Sequence, residues 1–269
     1  MVKNFFDVLE SSRSPKVFSR NIIQITFDDY RKKILKEDGE INEALYDGDI
    51  FIVKSVYDKE YLKKIKNEIH QWGLDSDTSF HKITEGVPDF HRIVDRNKLY
   101  NIQSKWHCYY FFSFNKNLWD VFQVTNEMYY VNQILMGSKK EGYLKSTPKD
   151  GAVVRIQVVH YPQGGGFVQA HNHYPLVKNK YSDFFNVANV GILSEKGKEY
   201  STGGLYCTDE NMNKIYIDDK AEIGDVVVSY GLQNHGVEPV DPNMKTDWSS
   251  KKGRWTMLFG NIRSDIDQK

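Results

Sequence analysis

The sequence predicts a mostly β protein with an α-helical N-terminal part, its C-terminal half closing into a barrel or jelly roll flanked by helices. Three observations support this. Short β-branched runs separated by glycine, proline and asparagine recur through residues 151–263. Apolar residues ahead of them recur at helical spacing. At 269 residues the chain can bury one large core, so a single domain spanning 1–269 is expected, with 1–150 as α-rich support and lid and 151–263 as the β core.

In the front part, residues 28–36 and 58–72 carry helical spacing. In the second, Asp58 is placed to cap the helix, and Tyr61, Leu62, Ile65, Ile69 and Trp72 recur along one face. Residues 48–53 read as a short strand before it, 118–136 as a further helix, and 139–150 as a lysine-, glycine- and proline-bearing connection. Residues 78–107 mix turn formers with charge, which suggests a loop over the barrel mouth. Within it, His91 and Arg92 are candidates for touching substrate; the alternative is that they pair with acids such as Asp89 or Asp95 at the surface.

The back part reads as a series of strands. Residues 153–161 form a β-branched run, 162–166 a glycine-rich turn, and 167–170 lead into His171. Residues 185–193, 203–207, 223–230 and 254–260 continue the series, with His235 just after the third of these runs and Arg254 opening the last.

His171 and His173 stand at i and i+2, which places both on one face of an extended strand. Neutral imidazole is the commonest metal-binding side chain, and His235 on a partner strand would complete a set of three. A His-x-His pair alone is more often an ordinary strand feature; its setting raises its weight. Arginine grips a carboxylate with two parallel hydrogen bonds, so Arg254 suggests an acid bound beside the metal.

Composition narrows the partners. Lys plus Arg equals Asp plus Glu at 36 each, so no global field draws the chain to nucleic acid or membrane, and a small-molecule substrate is expected. The aromatics, Tyr 17, Phe 15 and Trp 5, suit a core with polar-tipped walls around a pocket. Cys108 and Cys207 have no metal or redox spacing and read as reduced, and no apolar run approaches a membrane span or signal peptide. A soluble, cytoplasmic protein is the expectation.

Taken in order, these pieces resemble the iron(II) and 2-oxoglutarate dependent dioxygenases of double-stranded β-helix (jelly-roll, cupin-like) fold, over about residues 150–263. The lead-in Tyr161-Pro162-Gln163-Gly164-Gly165-Gly166, the first metal histidine at His171, the paired glycines of Gly203-Gly204-Leu205, the turn Gly224-Asp225, the distal histidine in His235-Gly236-Val237-Glu238-Pro239-Val240, and Arg254 with Thr256 each match in sequence order. The strand and helix over 48–72 resemble the front of the phytanoyl-type branch. The resemblance implies Fe(II) held by His171, His173 and His235, 2-oxoglutarate as co-substrate with its far carboxylate on Arg254 and Thr256, and dioxygen. The implied reaction hydroxylates an unactivated C–H bond with decarboxylation of 2-oxoglutarate to succinate. Tyr161 and Asn186 are candidates to help hold the keto acid, and Arg155, Gln157 and Asn189 to line the substrate wall.

The sequence departs from that family at His173, where an aspartate or glutamate is normal. The resemblance therefore implies a three-histidine site, with two other readings open: lost iron chemistry, or an acid such as Asp183 or Glu195 swinging in. Cupin-type thiol dioxygenases also use three histidines, and Gly165 with His171 and His173 fits the opening of their motif. Their following glutamate is missing at Val177 and Lys178. A non-catalytic jelly-roll binding protein is the third class.

Overall fold

The computed structural model describes residues 4–99, 102–115, 120–137, 147–173 and 187–265. The front folds as α1 (Phe5–Ser12), β1 (Ile22–Thr26), α2 (Phe27–Leu35), α3 (Glu40–Tyr46), β2 (Ile50–Lys54) and α4 (Lys59–Asp75). At the start of α4 the Asp58 carboxylate accepts from the Tyr61 amide, satisfying an otherwise unpaired N–H of the first turn. Leu62, Ile65 and Ile69 are buried along one face, with Tyr61 and Trp72 packed beside them. The strand expected at 48–53 is β2. It is joined in parallel by β1, which sequence pattern did not reveal, as it did not reveal α1 and α3. These elements span only a few residues each, and their stability comes from docking on the sheet rather than from propensity.

The expected loop over 78–107 is corrected by the structure. Residues 90–99 and 102–112 form β3 (Phe90–Leu99) and β4 (Ile102–Phe112), an antiparallel pair within the sheet. Its second half, Cys108-Tyr109-Tyr110-Phe111-Phe112, is buried on both faces, so it shows a continuous apolar run instead of alternation. The helix expected at 118–136 is described as α5 (Val121–Leu135); residues 118 and 119, and 139–146 of the connection, lie outside the described residues.

Eight strands follow: β5 (Ala152–Pro162), β6 (Gly166–His171), β7 (Val187–Ile192), β8 (Gly204–Thr208), β9 (Lys214–Tyr216), β10 (Val226–Tyr230), β11 (His235–Val240) and β12 (Gly253–Arg263). The sheet runs β1-β2-β10-β7-β12-β5-β4-β6-β11-β8-β9, with β3 on β4. β4 pairs with β5 through residues 107–112 and with β6 at Ser104 and Lys105, so it carries the sheet from one half of the roll to the other. The result is a mostly β, double-stranded β-helix with helices at the N-terminus.

Pleating divides each central strand between two cores. On β5 and β12, Val154, Ile156, Val158, Trp255, Met257 and Phe259 face α4 and α5, while Val159 and Tyr161 join Val168, Leu205 and Val237 inside the roll. That alternation also sends Arg155, Gln157, Arg254 and Thr256 inward.

Candidate metal centre and its cavity

β6 ends at His171 and β11 begins at His235, opposite one another in the antiparallel register. Between the pairs Val237 with Val168 and His235 with His171, β6 has one more residue than β11, a bulge that re-aims the end of the strand. His173 lies two residues beyond, its amide bonded to the Gly231 carbonyl at 2.9 Å. Its ring centroid is 5.5 Å from that of His171 and 5.1 Å from that of His235. Asn172 between them is exposed, as alternation requires.

One nitrogen of each imidazole lies within 4.8 Å of the others. A single ion with bonds of about 2.1 Å would draw them together by small ring rotations. Two of the rings are held in the tautomer such an ion needs. His171 Nδ1 meets the Gln169 carbonyl and His235 Nδ1 the Gln233 carbonyl, each at 2.9 Å. A carbonyl only accepts, so Nδ1 carries the proton and Nε2 keeps its lone pair. Burial lowers the basicity of all three imidazoles: His171 falls below its ordinary value, His173 well below under the added influence of His235 and His171, and His235 to about 4. At neutral pH the set is uncharged and its lone pairs are available.

The histidines border a cavity of about 290 Å³ inside the roll. Of the sequence candidates, Tyr161, Arg155, Gln157, Asn189, Arg254 and Thr256 all line it. Arg155 donates from Nη2 to Gln157 Oε1 at 2.9 Å. Asn189 is on the wall, but its Oδ1 accepts from Asn132 of α5 at 2.7 Å, so its amide is tied toward the helices. His91 and Arg92 are not among the lining residues, because β3 lies one strand beyond β4. His91 is buried and in contact with His107 and Ser76, while Arg92 lies over Phe80 and Tyr110. Asn186 and Asp183 lie outside the described residues. Glu195 pairs with Lys198 at 2.7 Å and Lys59 at 3.8 Å and is not among the lining residues.

Gly253 opens β12 at φ +133, and a Cβ there would stand 2.3 Å from the Tyr161 carbonyl oxygen, so only glycine permits this close approach to β5. Arg254 follows opposite Tyr161, its guanidinium 5.6 Å from the tyrosine ring centroid. Its partner is Asp218, 36 residues earlier in the chain. Arg254 donates from Nε to Asp218 Oδ2 at 2.5 Å and from Nη2 to Oδ1 at 2.9 Å, and Asp218 Oδ2 also accepts from the Tyr200 hydroxyl and the Leu205 amide, each at 2.8 Å. Burial alone would raise the Asp218 carboxyl, but Arg254 and the other donors bring it below its ordinary value; burial alone would lower Arg254, and Asp218 raises it instead. The pair is therefore fully ionised and closed within the wall. Asp218 follows β9 at no motif spacing, which is why only the fold reveals it.

No protein-family model matches the sequence, and no curated protein matches it. Solved structures do. A prolyl hydroxylase from Trichoplax adhaerens, in complex with a hypoxia inducible factor oxygen degradation domain peptide, is 11% identical, covers 88% of this chain and 91% of its own, and superposes at a TM-score of 0.51. Full-length thymine 7-hydroxylase from Neurospora crassa, in complex with alpha-KG, is 12% identical, covering 92% and 88%, at 0.49. A 2OG-Fe(II) oxygenase family protein from Burkholderia pseudomallei is 10% identical, covering 90% and 97%, at 0.46. At such identities the Trichoplax likeness shows a shared fold.

Proposed function

We propose that this protein is a non-haem iron(II) oxygenase that uses 2-oxoglutarate and dioxygen to hydroxylate a C–H bond of a small molecule, acting as one domain over 1–269. The observation that carries the reading is the cluster of His171, His173 and His235 on the wall of a cavity that also contains Arg254. The donor set fits iron(II): three neutral imidazoles, two with Nδ1 already committed to backbone carbonyls, turn lone pairs toward one another. Bound there, the metal with the keto acid and dioxygen supplies the oxidation, yielding carbon dioxide, succinate and a hydroxylated product.

The chain's own residues bind and orient. His171, His173 and His235 would hold the metal. Arg254, kept charged by Asp218, and the Thr256 hydroxyl on the same face offer donors to the far carboxylate of the keto acid. Tyr161 stands beside them. Arg155, Gln157 and Asn189 form the substrate side. Val168, Leu205, Val237 and Leu258 give the cavity apolar walls, which strengthen the polar contacts made against them.

A three-histidine set without a carboxylate also suits a thiol dioxygenase. The discriminating experiment is anaerobic. Iron(II)-loaded protein should develop a metal-to-ligand charge-transfer band on addition of 2-oxoglutarate, with a rise in melting temperature. No band and no thermal shift, together with oxygen uptake driven by a thiol, would replace the first reading with the second.

A further inference from the structure

Two arginines line the cavity, Arg155 and Arg254. Arg155 stands opposite Gly260 in the β5–β12 register and Arg254 opposite Tyr161, six residues along β5 and so roughly 20 Å apart at about 3.3 Å per residue. At the Arg254 end the guanidinium is matched by Asp218, whose carboxylate is 3% exposed and bonded on both oxygens. Its Nε edge and one Nη2 donor are occupied before any ligand arrives. Arginine has five N–H donors, so some remain for a ligand, but the wall behind them carries no net charge.

Resting on the function proposed above, we infer that Asp218 determines which 2-oxo acids the cavity accepts: by cancelling the charge of Arg254 it narrows the advantage of a 2-oxo diacid over a 2-oxo monoacid of equal length. Both acids present the same 2-oxo-carboxylate to the metal and differ only at the far end. There a second carboxylate meets hydrogen-bond donors and, just behind them, another carboxylate. The attraction of Arg254 and the repulsion of Asp218 act over similar distances in a medium that screens poorly, and they largely offset one another. Around the metal three neutral imidazoles, a dication and a dianionic acid sum to zero, and the Arg254–Asp218 pair adds nothing to that sum; without Asp218 the buried Arg254 guanidinium would add one positive charge.

The test uses the full chain loaded with Mn(II) under nitrogen, titrated by calorimetry with 2-oxoglutarate and separately with 2-oxopentanoate. Three proteins are compared: wild type, Asp218→Asn, and Tyr200→Phe, which removes one hydrogen bond to Asp218 without altering charge. In Asp218→Asn the affinity ratio of diacid to monoacid should rise by about tenfold or more, the effect of removing one nearby charge at an effective dielectric of about 20; in Tyr200→Phe it should stay at the wild-type value. Should Asp218→Asn unfold alone, recovery of its fold with 2-oxoglutarate but not with 2-oxopentanoate is the same result. A ratio unchanged or lowered in Asp218→Asn, or a variant that neither acid restores, overturns the inference. Wild type that binds neither acid overturns the proposed function and this inference together.

Discussion

His171 and His235 face each other across the β6–β11 pair with ring centroids 4.5 Å apart, and each donates its Nδ1–H to the carbonyl of the residue two before it. The same local device is thus used twice, once at the end of one strand and once at the start of its neighbour. It fixes both rings before any ion binds, so less ordering accompanies binding.

Replacing His235 with Ala should abolish tight binding of one divalent ion, and His173→Asp should strengthen it by adding a negative charge to the set. Competition against a chromophoric chelator measures both. Equal affinity in wild type and His173→Asp would place His173 outside the metal's coordination.

Arg254→Leu should cost about 3–5 kcal/mol of folding stability, since it strands the buried Asp218 carboxylate. Arg254→Leu combined with Asp218→Leu should recover much of that loss, because the pair is removed together. Urea unfolding gives the values. Both proteins should keep their metal, and Arg254→Leu, which leaves Asp218 to repel the far carboxylate, should lose more affinity for 2-oxoglutarate than the double variant; a double variant no more stable than the single would show that the pair does not act as a unit.

Gly253→Ala should destabilise by about 1–3 kcal/mol, the range for a side chain forced into a strained backbone region. Its Cβ would press on the Tyr161 carbonyl oxygen, immediately before Arg254. We expect 2-oxoglutarate affinity to fall more than metal affinity; a uniform fall in both would point to general unfolding instead.

Acid should weaken the fold well before carboxylates titrate. Burial lowers His107 to about 2, aided by His91 and His160, and His160 to about 3 against the pull of the Lys252 carbonyl. Accepting the Tyr109 hydroxyl at Nδ1, His107 gives its Nε2–H to His91 Nδ1, an arrangement that requires a neutral ring. The unfolded chain takes up these protons near 6.5 and the native chain refuses them, so stability is complete above about pH 6.5 and declines below it, by about 1.4 kcal/mol per pH unit for each such imidazole. Urea midpoints between pH 7 and 5 test this, and a flat profile would mean that the rings protonate in place.

The β-rich back, the inward face of β5 and β12, and the placing of His171 and His173 near one another were legible in the sequence. Residue alternation is a local property: it puts His171 and His173 on one side, and Arg155, Gln157 and Tyr161 on another, whatever else the chain does. The helix over 58–72 was equally legible, since its cap and its apolar face lie in one continuous stretch of chain. The hairpin of β3 and β4 was not, because a strand buried on both sides loses its alternation and one bearing histidine and arginine reads as surface. Only the rolled sheet brings His235 against His171, moves His91 and Arg92 off the cavity wall, and sets Asp218 against Arg254. Those relations join strands distant in sequence, and pairing energy between such strands is fixed by register and closure, which no local pattern encodes.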